Sequence, residues 1–418
     1  MRDVKSKLDR RVVHLNTFAS GGSIPSLIRS LGQGAGDFGF SAEVMFGRGQ
    51  APDDLQYNRV GNLRSQAWDL FCSRLLDRAG RHSGTAAAAA LKILSDSPPD
   101  LVHIHNLHGY WINNKKILLG LAELGIPVVW TLHDYWPITG HCAYFEKAGC
   151  EKWRANCGNC PQIEYYPKSY IDNSENNFFE KQSIYGELDN IHIVAVSDHS
   201  RKLIEASILG RFPVTMIYNS INTSIFKPVA PAMKFDGKIV VGCVAKIWDE
   251  RKGFDDILKV RDLLDDSYVL LVIGLTRNQM RRLPPGVVGV PQVLVPEDLA
   301  ALYSSMDVFF NPSSEETFGM TTVEAMACGV PVVLYDVAAS REIQPEFMGR
   351  GIVERYQHSD TAHIIREIAN DVTREMADSL VQYVGKKFSR DAFLNAYYGL
   401  YSKMVSLGKI DDRNSALE

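Results

Sequence analysis

Short apolar runs alternate with longer amphipathic stretches along most of this chain, and that alternation most narrows what it can fold into. Arg11–Asn16, Leu101–His105, Val128–Leu132 and Ile193–Ser197 read as buried strands, separated by glycines, polar loops and amphipathic segments. The pattern restarts at Lys238–Ala245 and continues through Val269–Ile273, Val308–Asn311 and Val332–Tyr335. Strands separated by helix-length stretches favour parallel sheets covered by helices. Between the halves, Asn219 to Pro228 and the Val-Ala-Pro-Ala that follows read as a linker. Ala86 to Ala90 reads as a helix interior. Phe393, Tyr397, Leu400, Tyr401 and Met404 share one face of a final amphipathic helix.

Composition narrows the class. At about 150 residues per domain, 418 residues imply two or three packed cores. Hydrophobic residues make up 45% and charged residues 22%, which excludes a disordered or fibrous chain. A net charge of −4 argues against a nucleic-acid partner, which needs a strongly basic face. No apolar run approaches the roughly 18 residues of a membrane-spanning helix. The opening MRDVKSKLDRR is basic, but VVHLNTFASGGS after it is too short and polar for a signal-peptide core. Seven cysteines without such a signal point to a reducing compartment, so a cytoplasmic location is expected.

The most informative stretch runs from Val308 to Val333. It reads as a strand, a glycine-containing turn, a helix starting near Thr321, a stop at Gly329 and another strand. Ligands of open α/β sheets bind just beyond the carboxyl ends of strands, where this turn sits. A helix start there aims backbone N–H groups at an anion. Glu316 ends the loop and Glu324 falls in the first helical turn, so two carboxylates can accept from sugar hydroxyls beside a phosphate cradle. Taken alone, Thr321-Thr-Val-Glu324 is equally a capping box, with Glu324 bonding back to the helix start. The whole stretch resembles the signature of family 4 glycosyltransferases of GT-B architecture, matched at Glu316, Phe318, Gly319, Glu324, Ala325, Gly329 and Pro331. That resemblance implies that Glu316 contacts the donor sugar's hydroxyls and Glu324 the ribose. The backbone of Gly319, Met320, Thr321 and Thr322 would hold the diphosphate.

At the start of the same half, Val241 to Gly253 is a buried strand followed by a turn carrying Lys246, Arg251 and Lys252. One cation about 4 Å from a phosphate oxygen is worth about 4 kcal/mol at an effective dielectric near 20. These charges can therefore meet a departing diphosphate without a catalytic metal. The resemblance places an Arg and a Lys at positions that are here Lys246 and Lys252. Lysine at the first loses the bidentate fork of arginine. The chain has no Asp-x-Asp, the motif of metal-bound nucleotide-sugar sites.

In the first half, Arg11 to Ser23 is a strand, a Gly21-Gly22 turn and a helix start, where bare backbone can approach a phosphate or an acceptor. His105-Asn-Leu-His-Gly-Tyr-Trp111 and Thr131-Leu-His-Asp-Tyr-Trp136 sit at strand ends. His105, inside a strand, reads as a buried histidine bonded to a neighbouring loop. His133 matches the family's Thr-x-His and is the residue expected to contact the sugar, with Asn106 near the acceptor. Tyr218 to Asn222 and Phe226 to Pro228 resemble the family's hinge, with Ser220 and Asn222 departing from it. Asp77 to Ser83, Asn106 to Trp111 and Thr131 to Cys142 are similar to the colanic-acid and exopolysaccharide branch.

Cys142, Cys150, Cys157 and Cys160 crowd one loop-rich stretch, either as a tetrahedral structural zinc site or as four free thiols. Trp68, Phe71, Leu75 and Leu76 share a helical face near Arg64, Arg74, Arg78 and Arg81. That helix either packs on the core or lies on an anionic bilayer; the first reading is preferred here.

The resemblance implies two Rossmann-like doubly wound domains facing across a cleft. An acceptor domain would span residues 1–226, a donor domain 227–388 and a helix returning to the first domain 389–418. It implies a retaining transfer from a UDP- or GDP-sugar to a glycan acceptor, lipid-linked, with peripheral contact at the inner membrane. A nucleotide-sugar epimerase and an inert glycan-binding protein are the alternatives.

Overall fold

The computed structural model describes residues 10–415, with side chains up to residue 406. The basic opening stretch at residues 1–9 lies outside the described residues. Two compact units divide the chain, one reaching to Ile217 and taking Leu394 onward, the other Tyr218–Phe393.

The first unit is built on seven strands, all parallel. They are β1 (Arg10–Phe18), β2 (Phe40–Arg48), β3 (Gln56–Arg59), β4 (Leu101–Ile104), β5 (Val128–Leu132), β6 (Ile191–Ala195) and β7 (Val214–Met216). Their order is β3-β2-β1-β4-β5-β6-β7. The order reverses between β1 and β4, where Val12 pairs with Leu101 and Leu15 with Ile104. Loops leaving the two strands part in opposite directions there, which opens a crevice. β4, β5 and β6 are buried throughout, as strands covered by helices on both faces must be.

The second unit repeats the plan with six parallel strands. These are β8 (Ile239–Val244), β9 (Tyr268–Ile273), β10 (Val287–Val290), β11 (Val308–Asn311), β12 (Val332–Tyr335) and β13 (Ile352–Val353). The order β10-β9-β8-β11-β12-β13 puts the reversal between β8 and β11. Strands β2, β3, β7, β10 and β13 were not among those expected from the sequence. Four of them are sheet edges, and β3, β7 and β10 have no buried residue, so they lack the burial of the central strands.

The expected linker is not a free tether. Ile221 N–H donates to Phe388 O at 3.0 Å and Val229 N–H to Ser304 Oγ at 3.2 Å, so it is bonded into the second unit. Within the Arg390–Ser415 helix, buried tyrosines find partners in the first unit, because a buried hydroxyl left unpaired is costly. Tyr397 OH meets Thr131 Oγ1 at 2.9 Å, Tyr401 OH meets His103 Nδ1 at 2.6 Å, and Tyr398 OH donates to Leu31 O at 2.7 Å.

The Leu63–Leu76 helix corrects the preferred reading. Its aromatic face does not pack on the core: Trp68 is 58% and Phe71 55% exposed, while Asp69 is fully buried. The aspartates turn inward because hydroxyl partners await them, Ser83 Oγ at 2.7 Å and Ser73 Oγ at 3.2 Å from Asp69. Among the described residues no helix is long and apolar enough to cross a membrane.

Candidate active site

The second unit's crevice is assembled by two turns. After β8, the turn at Asp249–Gly253 closes with Lys252 N–H donating to Asp249 O at 3.1 Å and to Asp249 Oδ1 at 2.9 Å. Gly253 ends it with φ 75, and a Cβ there would lie 2.5 Å from Pro312 O. Only glycine allows this turn to seat on the loop that follows β11. Arg251 O accepts from Ser314 N–H at 2.8 Å and Arg251 Nη1 donates to Glu315 O at 3.1 Å, which clasps the two loops together.

That clasp sets Lys252 Nζ on Glu316 Oε1 as a salt bridge whose side chains are 20% and 17% exposed. Burial pushes the Glu316 carboxyl up. The charges of Lys252 and Arg251, with hydrogen bonds from Lys252 and Ser313, outweigh it and hold the group below its ordinary value. Glu316 is therefore an ionised acceptor beside two cations. Next to it the Met320–Ala327 helix begins on Gly319, φ 94, with no side-chain cap. Asn311, Ser313, Glu316, Phe318, Gly319 and Thr322 line a common pocket here, and Asn311 Nδ2 donates to Thr322 Oγ1 at 3.1 Å.

Glu324 does not close a capping box. The helix starts one residue earlier than expected, at Met320, so Glu324 lies past the capping position and accepts from Tyr303 OH at 2.8 Å. Burial raises its carboxyl to about 7, against the lowering effect of the Tyr303 donor. Lys246 is exposed just beyond β8. Sequence reasoning missed Tyr303, although a tyrosine within an apolar helical face signals a hydroxyl that needs a buried partner.

The first unit's crevice holds a row of histidines. Gly21 and Gly22 are exposed with φ 78 and 96, and the Ser23–Gly34 helix starts there without a side-chain cap. From the same sheet face, His14 Nδ1 meets His105 Nε2 at 3.2 Å and His105 Nδ1 meets His133 Nε2 at 3.1 Å. His105 is thus bonded as expected, but to two histidines and not merely to a loop. Burial lowers every member of this row, His14 to about 3 and His133 to about 4, so the imidazoles are uncharged at neutral pH. Ligand atoms of His14, His103 and His105 lie within 4.8 Å of one another.

Cys142, Cys150, Cys157 and Cys160 all border one cavity with His141 and Trp153. Contact with the Cys142 thiol draws Cys160 down to about 7 and pushes Cys142 up.

A family model described as glycosyl transferases group 1 matches residues 238–371, and one for glycosyltransferase family 4 matches residues 28–225. The chain belongs to the glycosyltransferases. The putative colanic acid biosynthesis glycosyl transferase WcaC of Escherichia coli (strain K12) is 26% identical over 268 residues, 61% of this chain. The match spans 64% of that relative's length, just under two thirds. Sucrose-phosphate synthase from Thermosynechococcus elongatus shares the fold with TM-score 0.70 at 16% identity, over 95% of this chain and 100% of that one. Anabaena Alr3699/HepE, solved with UDP and glucose, does so with TM-score 0.66 at 15% identity, over 94% and 99%. The two-unit α/β architecture is therefore that of GT-B glycosyltransferases.

Within this glycosyltransferase, Glu316, Lys252, Arg251, Gly319 and Thr322 come together at the reversal of the second sheet. Met320 and Thr321 form the first turn of the adjoining helix, while Glu324 is fastened to Tyr303. His133 ends the histidine row of the first unit.

Proposed function

We propose that the protein transfers a sugar, with retention of configuration, from a UDP- or GDP-sugar to a lipid-linked glycan in exopolysaccharide biosynthesis. The observation that carries this reading is the Lys252–Glu316 pair beside an uncapped helix start, at the point where strand order reverses. A helix start and two cations suit a diphosphate. An ionised carboxylate held beside them suits hydroxyls of the sugar that the diphosphate carries.

In this reading Lys252, Lys246, Arg251 and the backbone of Gly319 to Thr322 bind the diphosphate. Glu316 accepts from the sugar and Glu324 from the ribose, and His133 is the first unit's candidate for contacting a sugar. The bond from the anomeric carbon to the diphosphate breaks, and its electron pair leaves with the phosphate. The acceptor hydroxyl bonds to that carbon from the same face and its proton passes to the leaving oxygen. Work on a lipid-linked acceptor puts the protein in the cytoplasm, in peripheral contact with the inner membrane.

We assign the four cysteines to a structural zinc because all four border one cavity, although of the described residues only His14, His103 and His105 bring three ligand atoms within 4.8 Å of one another; four sulfur ligands would leave no position for a reacting water. Metal analysis of purified protein should find close to one zinc per chain; well under one would overturn this assignment.

Calorimetric titration with UDP, GDP, ADP and dTDP tests the donor site. Selective binding of one diphosphate, lost in Glu324→Ala, is expected. Failure of all four to bind would overturn the reading.

A further inference from the structure

The folded first unit leaves one apolar helix face uncovered. Along the Leu63–Leu76 helix, Leu63 is 72% exposed, Trp68 58% and Phe71 55%, and the Trp68 and Phe71 rings stack at 5.8 Å. At 3.6 residues per turn, Leu63, Ala67, Phe71, Leu75 and Trp68 span an arc of about 140°. The arc extends onto the loop that precedes the Ser174–Gly186 helix. Tyr170 N–H and Ser169 Oγ both donate to Arg74 O, at 2.8 and 3.0 Å, which sets the exposed Tyr170 and Ile171 beside the helix end.

We propose that this arc is the surface by which the protein docks on an anionic lipid bilayer. Charge decides the occupant. Both aspartates of the segment are buried, Asp69 on Ser73 and Ser83, Asp77 on His141 and Asn173. The exposed side chains of residues 63–78 are therefore apolar or arginine. Arg64 makes no ion pair among the described residues, and Arg78 and Arg81 share the single carboxylate of Glu180 at 3.2 and 3.3 Å. On the flank, Asp172 is committed to the Cys160 and Ser174 N–H groups. An apolar face with arginines at its ends and amphipathic rings within it matches the boundary between acyl chains and anionic headgroups.

A second copy is a poorer occupant. A two-fold pairing of this helix with itself would bring Arg64 of one copy against Arg78 of the other, like charge on like. The proposal deepens the function proposed above, since a lipid-linked acceptor resides at such a surface. Vesicle binding needs no turnover, however, so either can fail without the other.

The test is flotation of the full chain with vesicles of equal parts phosphatidylglycerol and phosphatidylcholine, against phosphatidylcholine alone. Binding to the anionic vesicles is expected, weakened by salt, with at least a tenfold loss of partitioning in Trp68→Ser/Phe71→Ser. Arg64→Ser should lose about fivefold. Ile93→Ser, which removes an exposed apolar residue from a different helix, should bind as the parent does. Circular dichroism confirms that each variant is folded. Recovery of the parent in the soluble fraction, or equal flotation of the double variant, would overturn the proposal. So would a dimer that the double variant abolishes.

Discussion

The two sheets reverse strand order at equivalent points, and each opens a crevice there, yet the crevices carry opposite chemistry. Beyond β8 and β11 the crevice is ionic, with Lys252 paired to Glu316 and Arg251 clasping both loops. Beyond β1, β4 and β5 it is a row of imidazoles that burial keeps uncharged. A shared backbone plan therefore does not dictate the ligand; the residues on the first turns do. Ionised groups beside an uncapped helix attract an anion, whereas neutral imidazoles can orient a hydroxyl without competing for the diphosphate. We propose accordingly that the second crevice takes the nucleotide-sugar and the first the acceptor.

Breaking the ionic crevice should produce the largest effect. Loss of one positioned electrostatic partner costs about 10²–10³ in rate, so Glu316→Ala and Lys252→Ala should each lose that much turnover in a transfer assay. Circular dichroism should remain that of the parent. Near-normal turnover in either variant would remove the residue from the site.

Glu324 sharpens the contrast through pH. Its carboxyl ionises near 7, and ribose hydroxyls donate to the ionised form. Diphosphate affinity should therefore rise with pH across about one unit either side of that value, then level off. Glu324→Gln should flatten the slope and weaken binding about tenfold or more. Tyr303→Phe removes the donor that lowers the group, so the midpoint should move upward. His14 and His133 titrate near 3 and 4, so neither adds to this profile. A slope unchanged in Glu324→Gln would assign the titration elsewhere.

The matched variant in the first crevice is His133→Ala. Removing one hydrogen-bonding group costs about 1 kcal/mol, so turnover should fall about fivefold to tenfold while calorimetric diphosphate affinity stays unchanged. Loss of diphosphate affinity would mean that the two crevices do not divide the labour in this way.

How far these crevices could be read from residues alone depended on what each residue had to satisfy. Glu316 and Gly319 were legible because a strand, a turn and a helix start follow one another within a few positions, and the order of elements fixes what the turn faces. The central strands announced themselves as apolar runs, whereas β2, whose buried Val44 to Phe46 follow polar residues, and the polar β3 did not. The Tyr303–Glu324 bond joins residues 21 positions apart, and no local pattern encodes it. The Leu63–Leu76 helix was read with its faces reversed. Hydrophobicity predicts which side chains prefer burial, but Asp69 is held inside by Ser83, 14 residues away, and that leaves Trp68 in solvent. Hydroxyl partners supplied from outside the helix outweigh its own pattern.

The smallest expected effect compares two glycines with nearly the same backbone. Gly21 and Gly253 have φ 78 and 75, so alanine at either position bears the left-handed strain of about 1–2 kcal/mol. Their surroundings differ. A Cβ at Gly21 meets nothing within 4 Å, whereas one at Gly253 lies 2.5 Å from Pro312 O and 2.8 Å from Pro312 Cβ. Gly21→Ala should therefore lower the melting temperature of its unit by only a few degrees, at about 2–4 °C per kcal/mol for a unit of this size. Gly253→Ala should lower it further and also cost turnover, because relieving the clash moves the turn that holds Lys252 on Glu316. Differential scanning calorimetry with a transfer assay measures both. Equal melting shifts with equal turnover would mean that the tight seating of the Asp249–Gly253 turn on Pro312 is not what positions Lys252.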